Sequence, residues 1–194
     1  MIRATLVALA GLLIAGLGQA QDLPGEDAPL ALDQRFAPAH YGYSIRYPGL
    51  WQPVEPVRFS VVFGGPPGTP AFHTTVAIQN VRVARSDDMA AEAAQELAAY
   101  EGRMRDDTVE LTIQTRKPFI KRQGEAKPII GYQMVADFVR KGEGFRQWVV
   151  ILPRAKAPIL HVWSYTAPVE QFAGTLPTAR AMLDSWTLDA DSSD

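Results

Sequence analysis

The chain has 194 residues, with 19 Lys and Arg against 21 Asp and Glu, and no cysteine. That length supports one domain with a substantial core, while a net charge of −2 supplies neither the basic surface of a general nucleic-acid binder nor attraction to an anionic membrane. The lack of cysteine excludes a thiol nucleophile, an iron–sulfur centre, a zinc-thiolate site and the lipid attachment of a bacterial lipoprotein.

In chain order, Met1-Ile2-Arg3 sets one positive charge before an apolar run from Ala4 to Leu17, which closes in Gly18-Gln19-Ala20. This is the three-part form of a secretory signal peptide cleaved after Ala20, and the run is too short for a stable membrane span. Without Arg3 the basic side chains fall from 19 to 18, against 21 acidic ones. The address predicts a periplasmic or secreted protein with no direct membrane anchor. Residues 21–40, rich in Asp, Pro, Ala and Gly and without period, read as a flexible leader.

Tyr43, Ile45 and Tyr47 alternate with Ser44 and Arg46 as a strand stopped by Pro48-Gly49. Short strands follow over 51–54 and 58–63, then a Pro/Gly loop over 64–70 and a strand over 74–83. Asp87 or Asp88 caps a helix running to about Arg105, its stripe being Met89, Ala93, Leu97, Tyr100 and Met104. Val109, Leu111 and Ile113 mark a half-exposed strand, and the charged residues 117–127 a turn. Strands follow over 129–140, 145–153 and 159–166, the first two joined by Lys141-Gly142-Glu143-Gly144 as a hairpin. Pro168 and Thr175-Leu176-Pro177 introduce a last helix with Ala179, Met182, Leu183 and Trp186 on one side. The strands at 129–140 and 145–153 carry apolar residues at both parities, so both sheet faces need cover. The predicted fold is α+β: an α/β/α sandwich with a mostly antiparallel central sheet and helices on both faces. It forms one domain over 41–188, followed by a disordered tail at 189–194.

The segment Tyr43-Ser44-Ile45-Arg46-Tyr47-Pro48-Gly49-Leu50-Trp51 resembles the opening motif of PsbP-like domains, in which an aromatic strand runs into a proline and a tryptophan. The helix ending near Tyr100, the Gly131-Tyr132 strand, the strand from Arg146 to Leu152 and the closing Ser185-Trp186 are also similar, so the resemblance covers residues 41–188. The family includes a luminal subunit of the photosynthetic oxygen-evolving complex and DcrB-like periplasmic proteins. The resemblance implies a small α/β/α domain that binds or stabilises partners, with no common catalytic apparatus. Lipid-anchored relatives have a cysteine that this chain lacks, and the 64–70 loop has no identified counterpart.

No chemistry stands out by spacing. His40, His73 and His161 are far apart in sequence, so no local metal motif exists, and there is no Gly-x-Ser-x-Gly elbow. Asp87-Asp88 and Asp106-Asp107 sit at the two ends of the predicted helix, as a cap and a turn. The 64–70 loop lacks the Lys-Ser/Thr of a phosphate loop. Two surfaces could meet a ligand or partner. His161, Trp163 and Tyr165 share one strand face, which is either a stacking surface or core beneath a helix. Arg116, Lys117, Lys121 and Arg122, with Lys127, form a basic cluster suited to an acidic partner or to a solvated turn. The resulting expectation is an exported, non-catalytic binding or accessory module acting on a protein or envelope component, without cofactor, metal or nucleic acid. The alternatives are an exported hydrolase whose residues converge only in space, and a metal- or small-ligand-binding protein.

Overall fold

The computed structural model describes residues 29–154 and 157–188; the expected signal peptide, the first part of the leader and the tail 189–194 lie outside the described residues. Two antiparallel sheets and two helices make an α+β fold. Strands β1 (Gln34–Phe36) and β2 (Tyr43–Tyr47) belong to a three-stranded sheet of order β1-β2-β10, with β10 at Thr187–Leu188. Strands β3 (Gln52–Val54), β4 (Ser60–Gly64), β5 (Thr75–Arg82), β6 (Val109–Lys121), β7 (Ile129–Arg140), β8 (Glu143–Pro153) and β9 (Ile159–Pro168) form the larger sheet. Its order is β3-β4-β5-β9-β8-β7-β6. Helix α1 is Met89–Asp107 and helix α2 is Val169–Ser185.

Local chemistry accounts for most boundaries. The side chain of Asp88 accepts the Ala91 N–H at 3.0 Å and opens α1. Arg140 pairs with Glu143 across the β7–β8 turn, and both central residues have positive φ (Lys141 52°, Gly142 82°), the geometry of a primed two-residue hairpin turn. Gly131 is dictated by close packing: a Cβ there would lie 2.0 Å from the Ile151 carbonyl oxygen.

Three boundaries differ from the sequence expectation. Residues 117–121, expected in a turn, continue β6. This strand is the sheet edge, with β7 its single ladder partner, so exposed charges and Pro118 are tolerated along it. Helix α2 starts immediately after Pro168 and carries Pro177 inside it. Burial of Phe172 anchors this upstream turn, which outweighs the missing Pro177 N–H. Gln34–Phe36, within the stretch read as leader, pairs with β2, and Phe36 packs edge-on to Phe63 at 5.6 Å.

The core divides into two clusters. One joins Phe172, Ala179, Met182 and Leu183 of α2 to Val150, Leu152, Trp163 and Tyr165 of β8 and β9, and to Tyr43, Ile45 and Trp51. The other joins Ala93, Leu97 and Met104 of α1 to Met134, Ala136, Val149, Ile151, Leu160 and Val162. Neighbouring residues along β8 thus serve different clusters, as the two-residue period of a strand requires. Among the described residues no helix is long and apolar enough to cross a membrane.

Candidate functional site

The His161–Trp163–Tyr165 face of β9 is core. All three side chains have 0% exposure. Register sets Asn80 opposite His161, and the Asn80 amide donates to the Tyr41 carbonyl at 2.8 Å. Its oxygen then faces His161 Nδ1 at 2.7 Å, so the imidazole is assigned a proton on Nδ1. The rings of Tyr43 and Trp186 close on His161 edge-on at 5.6 and 6.1 Å. Burial, and secondarily the charge of Arg154, pushes the imidazole pKa down to about 3, so His161 is neutral at physiological pH. Tyr165 donates to the Phe172 carbonyl at 2.7 Å and lies 2.6 Å from the Thr175 hydroxyl. Trp163 packs edge-on to Trp148 at 5.3 Å. This face therefore packs inside the first cluster, away from solvent.

The basic cluster is divided by the pleat of β6. Arg116 contacts Glu101 of α1. Lys121 is buried, and its Nζ donates to the Leu183 and Asp184 carbonyls at 2.9 and 3.4 Å, closing the C-terminus of α2. Desolvation lowers the Lys121 pKa from its ordinary value, against the opposing charge of Asp184. Lys117 and Arg122 remain exposed. Two of the four cations thus contact helices, Arg116 at α1 and Lys121 at the end of α2.

A different site emerges where the β1–β2 connection meets the ends of β5, β8 and β9. A cavity of about 430 Å³ is walled by Arg58, Arg82, Arg154, His40 and Asn80, with Phe59 and Ile159 as its apolar side. Arg154 follows the last residue of β8, and its backbone N–H bonds the Ile159 carbonyl at 2.9 Å, which holds it at the tight β8–β9 connection. Its side chain, only 8% exposed, passes over Gly42. A Cβ on Gly42 would fall 2.5 Å from Arg154 Cζ, and Gly42 also has φ +75°, so glycine is needed on both counts. Arg58 stacks over Phe59, its guanidinium carbon 4.6 Å from the ring centre. The walls are tied together: the Asn80 N–H donates to the Phe59 carbonyl at 2.9 Å, and the Phe59 N–H donates to the Tyr41 hydroxyl at 3.2 Å. Tyr41 in turn donates to Glu55.

Three guanidiniums therefore converge, and no carboxylate lines the cavity among the described residues. The ion pairs those residues form belong to Arg103, Arg105, Arg116 and Arg146. Such an arrangement has the chemistry to receive an anion: a guanidinium presents paired N–H donors to carboxylate or phosphate. No cluster of metal-binding side chains occurs among the described residues. The sequence signal for this cleft is weak. Its residues come from separate segments, and the one local hint is a cation, Arg154, directly after the apolar run of β8.

No protein-family model matches the chain, and no curated protein sequence matches it. Among solved structures, the fold is similar to cyanobacterial PsbP from Synechocystis sp. PCC 6803, with a TM-score of 0.54 and 10% identity over 80% of this chain and 91% of that one. It is equally similar to the Saccharomyces cerevisiae Ran-binding protein Mog1p, with a TM-score of 0.54 and 9% identity over 81% of this chain and 95% of that one. A Bacteroides thetaiotaomicron VPI-5482 protein aligns at a TM-score of 0.50 and 15% identity over 81% of this chain; the chain spans only 49% of that protein. At these identities the likeness concerns architecture alone, and it upholds the resemblance first drawn from Tyr43 to Trp51: the chain has a PsbP-like fold.

Proposed function

We propose that this chain is an exported, non-catalytic accessory module that docks an anionic group of a protein or envelope partner in the Arg58–Arg82–Arg154 cleft. The observation that carries this reading is the convergence of three guanidiniums, one of them almost fully buried, on a cavity that no acidic side chain lines among the described residues. Holding like charges together is unfavourable, and an anionic occupant relieves it. Export rests on the charge, apolar run and small-residue close of residues 1–20. A protein-partner role has a precedent on this fold in Mog1p, described as a Ran-binding protein. The same proposal includes a three-layer arrangement, α1 and α2 lying on opposite faces of the large sheet. The alternation of β8 residues between the two core clusters supports it.

The test is crosslinking in intact cells with the native protein and with an Arg58→Glu/Arg82→Glu variant. Both positions are exposed, so the fold tolerates the change. The expected result is an exported form starting at Gln21 and an envelope crosslink that the double reversal abolishes. A crosslink indifferent to the reversal would remove the cleft from the function.

A further inference from the structure

We infer that the anionic group received by the arginine cleft is a phosphate monoester on a soluble partner, its terminal oxygens meeting Arg58, Arg82 and Arg154 and the apolar body that carries it lying against Phe59 and Ile159. This rests on the cleft being an anion site, as proposed above, and adds the chemical class of its ligand.

Three separate elements supply the cations. Arg82 ends β5 and stands opposite Ile159 in the β5–β9 register. Arg154 follows β8, and its N–H bonds the Ile159 carbonyl at 2.9 Å. Since β9 lies between β5 and β8, the two arginines flank Ile159 in one row, their Cα atoms about 10 Å apart. Arg58 enters from the connection between β3 and β4. A carboxylate brings two oxygens and one charge to these three groups. A phosphate monoester brings three terminal oxygens and a charge of about −1.5 to −2 at pH 7. It therefore offers one acceptor to each guanidinium and cancels more of the repulsion among them.

The cavity has room for more than the ion. Its volume of about 430 Å³ falls among small-molecule sites, which span about 300–1,000 Å³. Apolar surface adjoins each cation: Ile159 sits between Arg82 and Arg154, and the Phe59 ring lies 4.6 Å from the Arg58 guanidinium carbon. The ring is also held in place. Phe59 has φ +63° and His40 has φ +65°, two of the four non-glycine residues with positive φ among the described residues. Both line the cavity. A bulky residue keeps such a backbone only where its surroundings impose it, and such residues gather at binding sites. Here the bonds of the Phe59 N–H to the Tyr41 hydroxyl and of its carbonyl to the Asn80 N–H supply that constraint. An anion with an apolar body attached meets both kinds of wall at once. A soluble carrier fits the chain as a whole, whose 21 acidic against 19 basic side chains give no general attraction to an anionic lipid surface.

The test is titration calorimetry of the native protein at low salt with three probes: phenyl phosphate, inorganic phosphate and phenylacetate. Phenyl phosphate should bind about tenfold more tightly than inorganic phosphate, through burial of its ring. It should also bind about tenfold more tightly than phenylacetate, through the third oxygen and the added charge. Arg58→Gln/Arg82→Gln should abolish binding of all three. Phe59→Asn removes the ring and keeps a residue that accepts positive φ, so it should erase the advantage of phenyl phosphate over inorganic phosphate; an unchanged ratio takes Phe59 out of the site. Phenylacetate equal to phenyl phosphate overturns the phosphate, and inorganic phosphate equal to phenyl phosphate overturns the apolar body. In either case, loss of binding in Arg58→Gln/Arg82→Gln leaves the anion cleft standing. If no probe binds, or if binding ignores the arginine substitutions, the cleft and its ligand fail together. Vesicles of phosphatidic acid in phosphatidylcholine present the same group on a lipid surface. Sedimentation of the protein with them, reversed by phenyl phosphate, would refute the soluble carrier.

Discussion

Acidification from pH 7.5 to pH 5 tests the burial of His161. In the unfolded chain this imidazole protonates near its ordinary value of 6.5; in the folded protein burial holds it neutral down to about 3. Below pH 6.5 the unfolded state therefore binds one more proton than the folded state, and stability falls by about 1.4 kcal/mol per pH unit until pH approaches 3. Between pH 6.5 and 5 the loss from this group alone is about 2 kcal/mol. Above pH 6.5 the group costs nothing. His161→Gln removes the titration and keeps an amide N–H for Asn80 Oδ1 to accept. The assay is urea unfolding of both proteins at intervals from pH 7.5 to 5. Carboxylates common to the two cancel in the difference, so repacking costs shift the variant by a constant. The native protein should lose about 2 kcal/mol more than the variant across the interval. Parallel stability curves would refute the argument, as would an imidazole NMR signal that titrates above pH 5.

Two further substitutions probe the frame of the fold. Lys121→Met keeps most of the length of the side chain but removes the ammonium from the Leu183 carbonyl, which retains only the Trp186 N–H at 3.3 Å, and urea unfolding should show a loss of about 1 kcal/mol; an unchanged midpoint would mean that the Trp186 N–H satisfies the end of α2 without the ammonium. Gly131→Ala puts a methyl against the Ile151 carbonyl oxygen, so β7 and β8 must separate, with an expected loss of about 3 kcal/mol and faster amide exchange along both strands. Exchange rates unaltered at Tyr132 and Ile151 would count against that contact.

What could be read without coordinates was whatever a single element writes into its own residues. Tyr43, Ile45 and Trp51 read as an aromatic opening strand because their alternation reflects one buried face, and all three are core residues. Asp88 and the Ala93–Leu97–Met104 stripe define α1 because a helix displays its cap and its period locally. Residues 117–121 misled for a physical reason: an edge strand can expose charges on its open side, so its composition is that of a turn. Lys121 shows the limit most clearly, since a lysine facing a helix end many residues downstream looks like any solvated cation until α2 is in place. The cleft was hidden for the same reason. Asn80 and Arg82 reach it through the β5–β9 register, and Arg58 and His40 through separate connections, so no window of sequence contains the site.

The buried histidine and the arginine cleft are two sides of one wall. Asn80 lines the cavity and also bonds His161, and Arg154 lines the cavity while its charge helps to keep that imidazole neutral. A protonated His161 would add a fourth positive charge directly behind the guanidiniums, with no water to screen it. Burial among Tyr43, Trp186 and Asn80 prevents this, so His161 adds no charge behind the three guanidiniums, which stay charged at any physiological pH. The field of the exposed charges, Arg58 and Arg82 among them, is screened by salt over about 10 Å at 0.1 M. A buried residue that looked like a ligand contact in the sequence thus lies one layer deeper, as a neutral backing to the arginine wall.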